Sequence, residues 1–206
     1  MICDWDDFGC DKVISDQCQS HDCRREIDKL HYANQNFKAS LFAIPGEMTY
    51  ELCEWCKANS SWIQLAVHGF LHSSNFECDK MTYEEFDQKM NTLQPMIDTY
   101  FTKGFKAPGW QISDDIYKWL LDHHWWVADQ SYNNVRRAKI AKSMPAYVYN
   151  QGTFVAWNGN QDTDLSGGWH GHTWNCVGNG IEETYSQVEE LVKAANNFKF
   201  ISEVIQ

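Results

Sequence analysis

Three groups of residues in this chain have the types and spacing needed to activate water. Asp6 and Asp7 adjoin at the end of the largely apolar run 1–6. Neighbouring side chains on a strand point to different faces, so one carboxylate can face a metal and the other an attacking water. His68 and His72, in His68-Gly69-Phe70-Leu71-His72, directly follow the apolar run 63–67. Two histidines four residues apart converge on one metal if the segment turns helically, and Gly69 permits a tight turn. His170 and His172 are two residues apart in Trp169-His170-Gly171-His172-Thr173-Trp174. They share one face of a strand, and a histidine beside a metal is a natural general acid. One carboxylate with two imidazoles leaves positions open on a divalent ion, which is the catalytic rather than the structural pattern. An ion so held lowers the pKa of bound water and polarises a carbonyl. Each group also has an ordinary explanation: an Asp-rich turn, a pair of exposed loop histidines, a polar histidine in an aromatic cluster.

The elements that must position these residues alternate along the chain. Strand-like runs fall at 1–6, 38–43, 62–67, 104–107, 126–128, 153–157, 168–173 and 198–201. Helix-like stretches fall at 20–34, 47–58, 83–101, 114–124 and 182–196. In the third of these, Phe86, Met90, Leu93, Ile97 and Tyr100 recur every three or four residues behind a Thr82-x-x-Glu85 capping box, so this stripe belongs to the core. Pro95 lies inside it and predicts a kink or break. Stretches 129–152 and 157–167 read as irregular and polar. Strands alternating with helices predict an α/β fold with a mostly parallel sheet, in one domain spanning 1–206. All three reactive groups sit at strand ends, where such folds build their sites.

Composition narrows the partners. At 206 residues, 43% apolar and 15% aromatic, the chain can bury a real core. Its net charge of −11 disfavours nucleic acid, because phosphate binding needs lysine and arginine clusters and only the short run Arg136-Arg137-Ala138-Lys139 is present. No stretch approaches the roughly 20 apolar residues that cross a bilayer, so no membrane partner is expected. No secretory signal is read at residue 1 onward, which predicts a cytoplasmic protein. The eight cysteines are read as free thiols of a reducing compartment rather than a disulfide scaffold. Cys53-x-x-Cys56 lies in a helix-like stretch without the second pair that a zinc ribbon needs, and reads as core or surface cysteine.

In this order, the motifs resemble the polysaccharide deacetylase family, the nodulation-type carbohydrate esterases. The family's aspartate pair is matched by Asp6 and Asp7, its His-x-x-x-His pair by His68 and His72, and its Arg-x-Pro loop by Lys106-Ala107-Pro108-Gly109-Trp110. The late strand with the catalytic histidine is matched by His170-Gly171-His172, and the second strand with its turn by residues 38–46. The resemblance implies a distorted (β/α)7-type barrel. It implies that Asp6 is the base, that Asp7, His68 and His72 hold a divalent metal, and that His172 is the acid. The metal would most commonly be zinc, with cobalt, nickel or iron(II) as variants. Lys106 replaces the family's arginine, a point charge in place of a planar fork. It would hold Asp6 ionised with Asp129 as a second acid.

The resemblance further implies hydrolytic removal of an acetyl group from an N-acetylated sugar. Pro108, Trp110, Trp169, His170 and Trp174 are then candidates to line the cleft. Two alternatives stand beside this: an amide hydrolase of the same fold acting on a small non-glycan molecule, and a non-catalytic, metal-retaining glycan-binding module.

Overall fold

Apolar runs too short for helices alternate with capped amphipathic stretches, and the chain resolves them into a parallel sheet with crossover helices. The computed structural model describes residues 1–9, 12–15, 18–20, 23–74, 76–130, 133–140, 144–149, 168–173 and 181–205. In chain order the strands are β1 (Ile2–Phe8), β2 (Lys12–Ser15), β3 (Cys18–Ser20), β4 (Ala39–Ala43), β5 (Ile63–Val67), β6 (Gly104–Phe105), β7 (Trp126–Gln130), β8 (Ala146–Tyr149) and β9 (Gly168–His172). The helices are α1 (Arg24–Ala33), α2 (Tyr50–Ala58), α3 (Tyr83–Tyr100), α4 (Asp114–Asp122), α5 (Asn134–Ile140) and α6 (Ile181–Ala194). Seven strands form one sheet in the order β8-β7-β6-β5-β4-β1-β9, every pairing parallel. The sheet curls into an open, distorted barrel. β2 and β3 form a separate antiparallel hairpin.

Strand alternation divides the side chains between two faces. On the outer face, Trp5, Leu41, Leu65 and Trp169 pack with Ile27 of α1, Leu52 of α2 and Leu191 of α6. Phe105 and Val127 pack with Phe86 and Met90 of α3 and with Ile116 and Leu120 of α4. Ile2, Phe42, Ala66, Trp126 and Ala128 fill the inner face. The helices start where their caps dictate: Thr49 accepts from the Leu52 N–H, Ser113 from the Ile116 N–H, and Thr82 with Glu85 closes a reciprocal capping box.

Four sequence expectations are corrected. Helix α3 runs unbroken through Pro95, which lies on its solvent side, where the carbonyl that loses its partner meets water. Residues 198–201 are not a strand, because both edges of β1 are taken by β4 and β9. The segment instead folds under the strands: Lys199 N–H bonds Met1 O, Ile201 N–H bonds Ser40 Oγ, and Ile201 joins the inner cluster. The stretch expected to be irregular holds α5 and β8, whose Ala-Tyr-Val-Tyr is β-prone but only four residues long. The hairpin β2–β3 adds two short strands where the sequence pattern shows none. The strand expected at 153–157 lies outside the described residues. Cys53 and Cys56 face the core on α2, and burial raises the Cys53 thiol to about 11, away from the reactive thiolate range. Among the described residues, Cys3, Cys53 and Cys78 are free and buried, and Cys23 and Cys56 are also buried. No helix among them is long and apolar enough to cross a membrane.

Candidate active site

The inner face turns polar toward the C-terminal ends of the strands. Asp4 and Asp6 point inward from β1, His170 and His172 from β9, and His68 and Lys106 follow β5 and β6. Register makes Asp4 the partner of His170 and Asp6 the partner of His172 across the β1–β9 pair. Asp7 lies within a register shift in β1 and takes φ 64, a left-handed backbone that turns its carboxylate inward beside that of Asp6. The Thr173 hydroxyl donates to the Asp7 carbonyl at 2.7 Å and holds that turn. His72 also has positive φ, at 48. Unfavourable backbone of this kind persists where surrounding contacts over-determine it, as at ligand sites.

Asp7 Oδ1 lies 3.5 Å from His68 Nε2 and 3.3 Å from His72 Nε2. Two ligands each about 2.1 Å from a tetrahedral ion sit about 3.3–3.5 Å apart. The three side chains are therefore spaced to hold one divalent cation, and all three are buried. His68 Nδ1 is 2.9 Å from the Lys106 carbonyl oxygen. A carbonyl only accepts, so Nδ1 carries the hydrogen and Nε2 presents its lone pair to the site. Glu77 accepts from the backbone N–H groups of Phe70 and Leu71, between the two histidines, and of Ser73, just after them.

Lys106 is fully buried. Its Nζ lies 2.7 Å from Asp6 Oδ1 and 3.6 Å from Asp4 Oδ1, and donates to the Tyr149 hydroxyl at 3.1 Å. The rings of Phe42, Trp110 and Tyr149 surround it at 4.5–4.6 Å, within cation–π range. Burial pushes the Asp6 carboxyl up, but Lys106, with His68, His170 and His172, more than offsets it and holds the group well below the usual carboxylate range. Asp7 follows the same logic, its burial overcome by His68, His172 and His72. Burial drives His172 down to about 4 and lowers His72. The His68 imidazole is raised, because Asp6 and Asp7 outweigh its burial.

The second acid at Lys106 is Asp4, not Asp129 as the sequence suggested. The Asp129 carboxylate is engaged by the Tyr117 hydroxyl, the Asn133 amide and the Gln130 N–H. Asp4 also accepts from the Tyr149 hydroxyl and from His170 Nδ1, and His170 Nε2 lies 3.9 Å from Asp6 Oδ2. Two carboxylates, Asp4 and Asp6, thus share one buried ammonium, and a divalent cation held by the neighbouring Asp7 would supply further positive charge.

Asp6, Asp7, His68, His72, Lys106, His170 and His172 all meet here. Trp110 walls the site, its ring 5.6 Å from that of His170 and 4.9 Å from that of Tyr149. Pro108 backs the histidine loop, so close that a Cβ on Gly69 would come within 2.6 Å of it. Trp169 is not brought to the cleft. As the neighbour of inward His170 it points outward, and it packs against Trp5 in the outer core. Trp174 lies outside the described residues. Sequence reasoning missed Asp4 and Tyr149. Asp4 carried a signal, for it lies two residues before Asp6 and so on the same face of the strand. Tyr149 lies in a stretch whose pattern reads as irregular.

Neither a protein-family model nor a curated protein sequence matches the chain. Solved structures do. A family 4 acetyl xylan esterase from Clostridium thermocellum, in complex with a cobalt ion, superposes with TM-score 0.57 at 15% identity, covering 98% of this chain and 88% of that one. A putative polysaccharide deacetylase from Mycobacterium smegmatis gives 0.58 at 12% identity, over 97% and 85%. A CE4-family pseudoenzyme from Bacillus anthracis gives 0.55 at 12% identity, over 98% of this chain and 64% of that one. The chain shares the polysaccharide deacetylase fold with all three.

Proposed function

We propose that this chain, on its polysaccharide deacetylase fold, is a divalent-metal-dependent hydrolase that removes an acetyl group from an N-acetylated sugar. One observation carries the reading. Beside the Asp7, His68 and His72 cation site sits a further group, Asp6, which is not among those three ligands and which Lys106 holds as a carboxylate. The names of structural neighbours support it: one is an acetyl xylan esterase and another a peptidoglycan N-acetylglucosamine deacetylase.

Asp7, His68 and His72 would hold the cation, zinc being the first expectation for one carboxylate with two imidazoles. When bound, it polarises the acyl carbonyl and makes a neighbouring water acidic enough for a weak base to deprotonate. Asp6 takes that proton. A carboxylate paired so tightly is always ionised near neutrality, and its weak basicity is matched to an acidified water. Lys106 sits between Asp4 and Asp6 and offsets the charge of both. His170 donates the proton to the leaving amine. Asp4 fixes its Nδ1 and turns Nε2 toward Asp6, whereas His172, the donor expected from the sequence, is kept neutral by burial near physiological pH. Trp110 supplies a half-exposed ring for the sugar to lie against.

The test is acetate release from N-acetylglucosamine oligomers by wild type and by His68→Ala, with metal content measured on the same samples. About one metal per chain, with release by wild type alone, supports the reading. No metal in either sample after zinc is added would sink it. The pseudoenzyme neighbour favours a second reading, a binding module that keeps its cation. Asp6→Asn separates the two: an enzyme loses turnover and keeps metal, whereas a binder loses nothing.

A further inference from the structure

In the loop that carries His68 and His72, the Phe70 ring is anchored in the core against Phe86, but its neighbours give the backbone no side-chain hold. Gly69 has no side chain, and Leu71 is exposed. The loop is gripped from outside by one carboxylate. Glu77 Oε1 accepts from the Phe70 N–H, and Glu77 Oε2 accepts from the Leu71 N–H at 3.3 Å, the Ser73 N–H at 3.1 Å and the Ser73 hydroxyl at 3.4 Å. Charge-assisted bonds to backbone N–H groups are the stronger class of hydrogen bond. Three N–H groups and one hydroxyl of one irregular turn end on one anion, and the backbone around the two histidines is left little freedom.

Glu77 is itself braced. The Ser113 N–H donates to the Cys78 carbonyl at 3.0 Å, and the Ser113 hydroxyl donates to the Met81 carbonyl at 2.6 Å. The same hydroxyl caps α4 by accepting from the Ile116 N–H. Cys78 is fully buried in the outer core. A path of contacts runs from the α4 N-terminus through residues 78–81 to Glu77 and on to the histidine loop. Gly69 lets it close: with φ +66, a Cβ there would meet Glu77 Oε1 at 2.6 Å.

We propose that Glu77 is a positioning residue that sets the His68–His72 loop in its metal-binding shape before the cation arrives, and so sets the affinity of the site. The proposal rests on the metal-site reading above. Glu77 touches neither cation nor substrate. It acts through the backbone of Phe70, Leu71 and Ser73, and lowers the conformational cost of bringing two imidazoles and Asp7 together. Outer partners of metal ligands typically change affinity 10- to 100-fold when removed.

The experiment uses the full chain stripped of metal, with Co²⁺ as probe and two variants, Glu77→Gln and Glu77→Asp. Glu77→Gln keeps the length and loses the charge and one acceptor. Glu77→Asp keeps the charge but is one carbon too short to span three N–H groups. Both are expected to raise the Co²⁺ dissociation constant about 10- to 100-fold and to alter the visible d–d bands. In the metal-free protein, amide exchange at Phe70, Leu71 and Ser73 should quicken about tenfold or more while the core strands stay protected. Co²⁺ affinity within about twofold of wild type in Glu77→Gln would overturn the proposal, since a ligand-positioning partner is worth far more. Wild-type affinity in Glu77→Asp would do the same. If wild type binds no Co²⁺, the metal-site reading fails, and the exchange comparison still decides whether Glu77 orders the loop. Unchanged exchange in both variants then refutes the clamp.

Discussion

Asp4 and His170 are register partners on neighbouring parallel strands, and their side chains join inside the barrel through His170 Nδ1. Because the carboxylate fixes one ring nitrogen, the other is aimed at the reaction space. Asp4→Asn can present its amide N–H to Nδ1 and reverse the tautomer. The expected outcome is a fall in kcat of about 10² to 10⁴, the value of a positioned acid, with metal content little changed. Unchanged kcat would remove His170 from the acid role. His170→Ala and His172→Ala, assayed side by side, complete the assignment.

Replacing Lys106 by Met removes the ammonium that pairs with both Asp4 and Asp6 and leaves the cage of Phe42, Trp110 and Tyr149 filled. Breaking a buried ion pair from one side costs about 3–5 kcal/mol, and the melting temperature should fall accordingly. Burial then dominates at Asp6 and raises its carboxyl. The acidic limb of the rate profile should therefore move toward neutral pH in any residual activity. A profile that stays in place would detach Lys106 from Asp6.

Acid should destabilise the metal-free protein in a window set by histidine. His172 is lowered to about 4, and His72 and His31 are also lowered, so between about pH 6.5 and 4 these imidazoles bind more protons in the unfolded chain than in the folded one, opposed at the acid end by Asp129 and Asp28, whose carboxyls burial raises. Stability falls as pH drops through that window. His68, raised in the fold, acts in the opposite sense and only above pH 6.5, and the contributions of Asp6 and Asp7 are lost only below about pH 4. Thermal melts from pH 7 to 4 should show the decline, and His172→Asn should flatten part of it. An equal slope in the variant would contradict the burial of that imidazole.

Much of the fold is readable from residue types. Strands β1, β4, β5, β7 and β9 are visible as apolar runs, and α3 and α4 as capped stripes, because burial and capping leave periodic marks. The convergence of Asp6, Asp7, His68 and His72 is also legible, since each motif closes a strand. Legibility fails where meaning depends on a face or a partner. Trp169 and His170 are adjacent, yet one is outer core and the other lines the site, which only the register with β1 settles. Asp4 hides within an apolar strand. The true partner of Lys106 is hidden too, because a distance between strands β1, β6 and β7 is not a property of sequence.

The position of β1 between β4 and β9 has a consequence for how the protein is made. Asp6 and His172 are register partners 166 residues apart, so at about 5–20 residues per second a ribosome takes roughly 8–33 s to deliver the second after the first. Throughout that interval one edge of β1 has no strand beside it. Unpaired strand edges recruit other chains unless something repels them, and inward-pointing charge is a natural deterrent. Asp4 and Asp6 sit on that strand before His170 can fold against them. The carboxylates that serve the finished site would first serve the nascent chain, keeping its open edge hydrated until the last strand arrives.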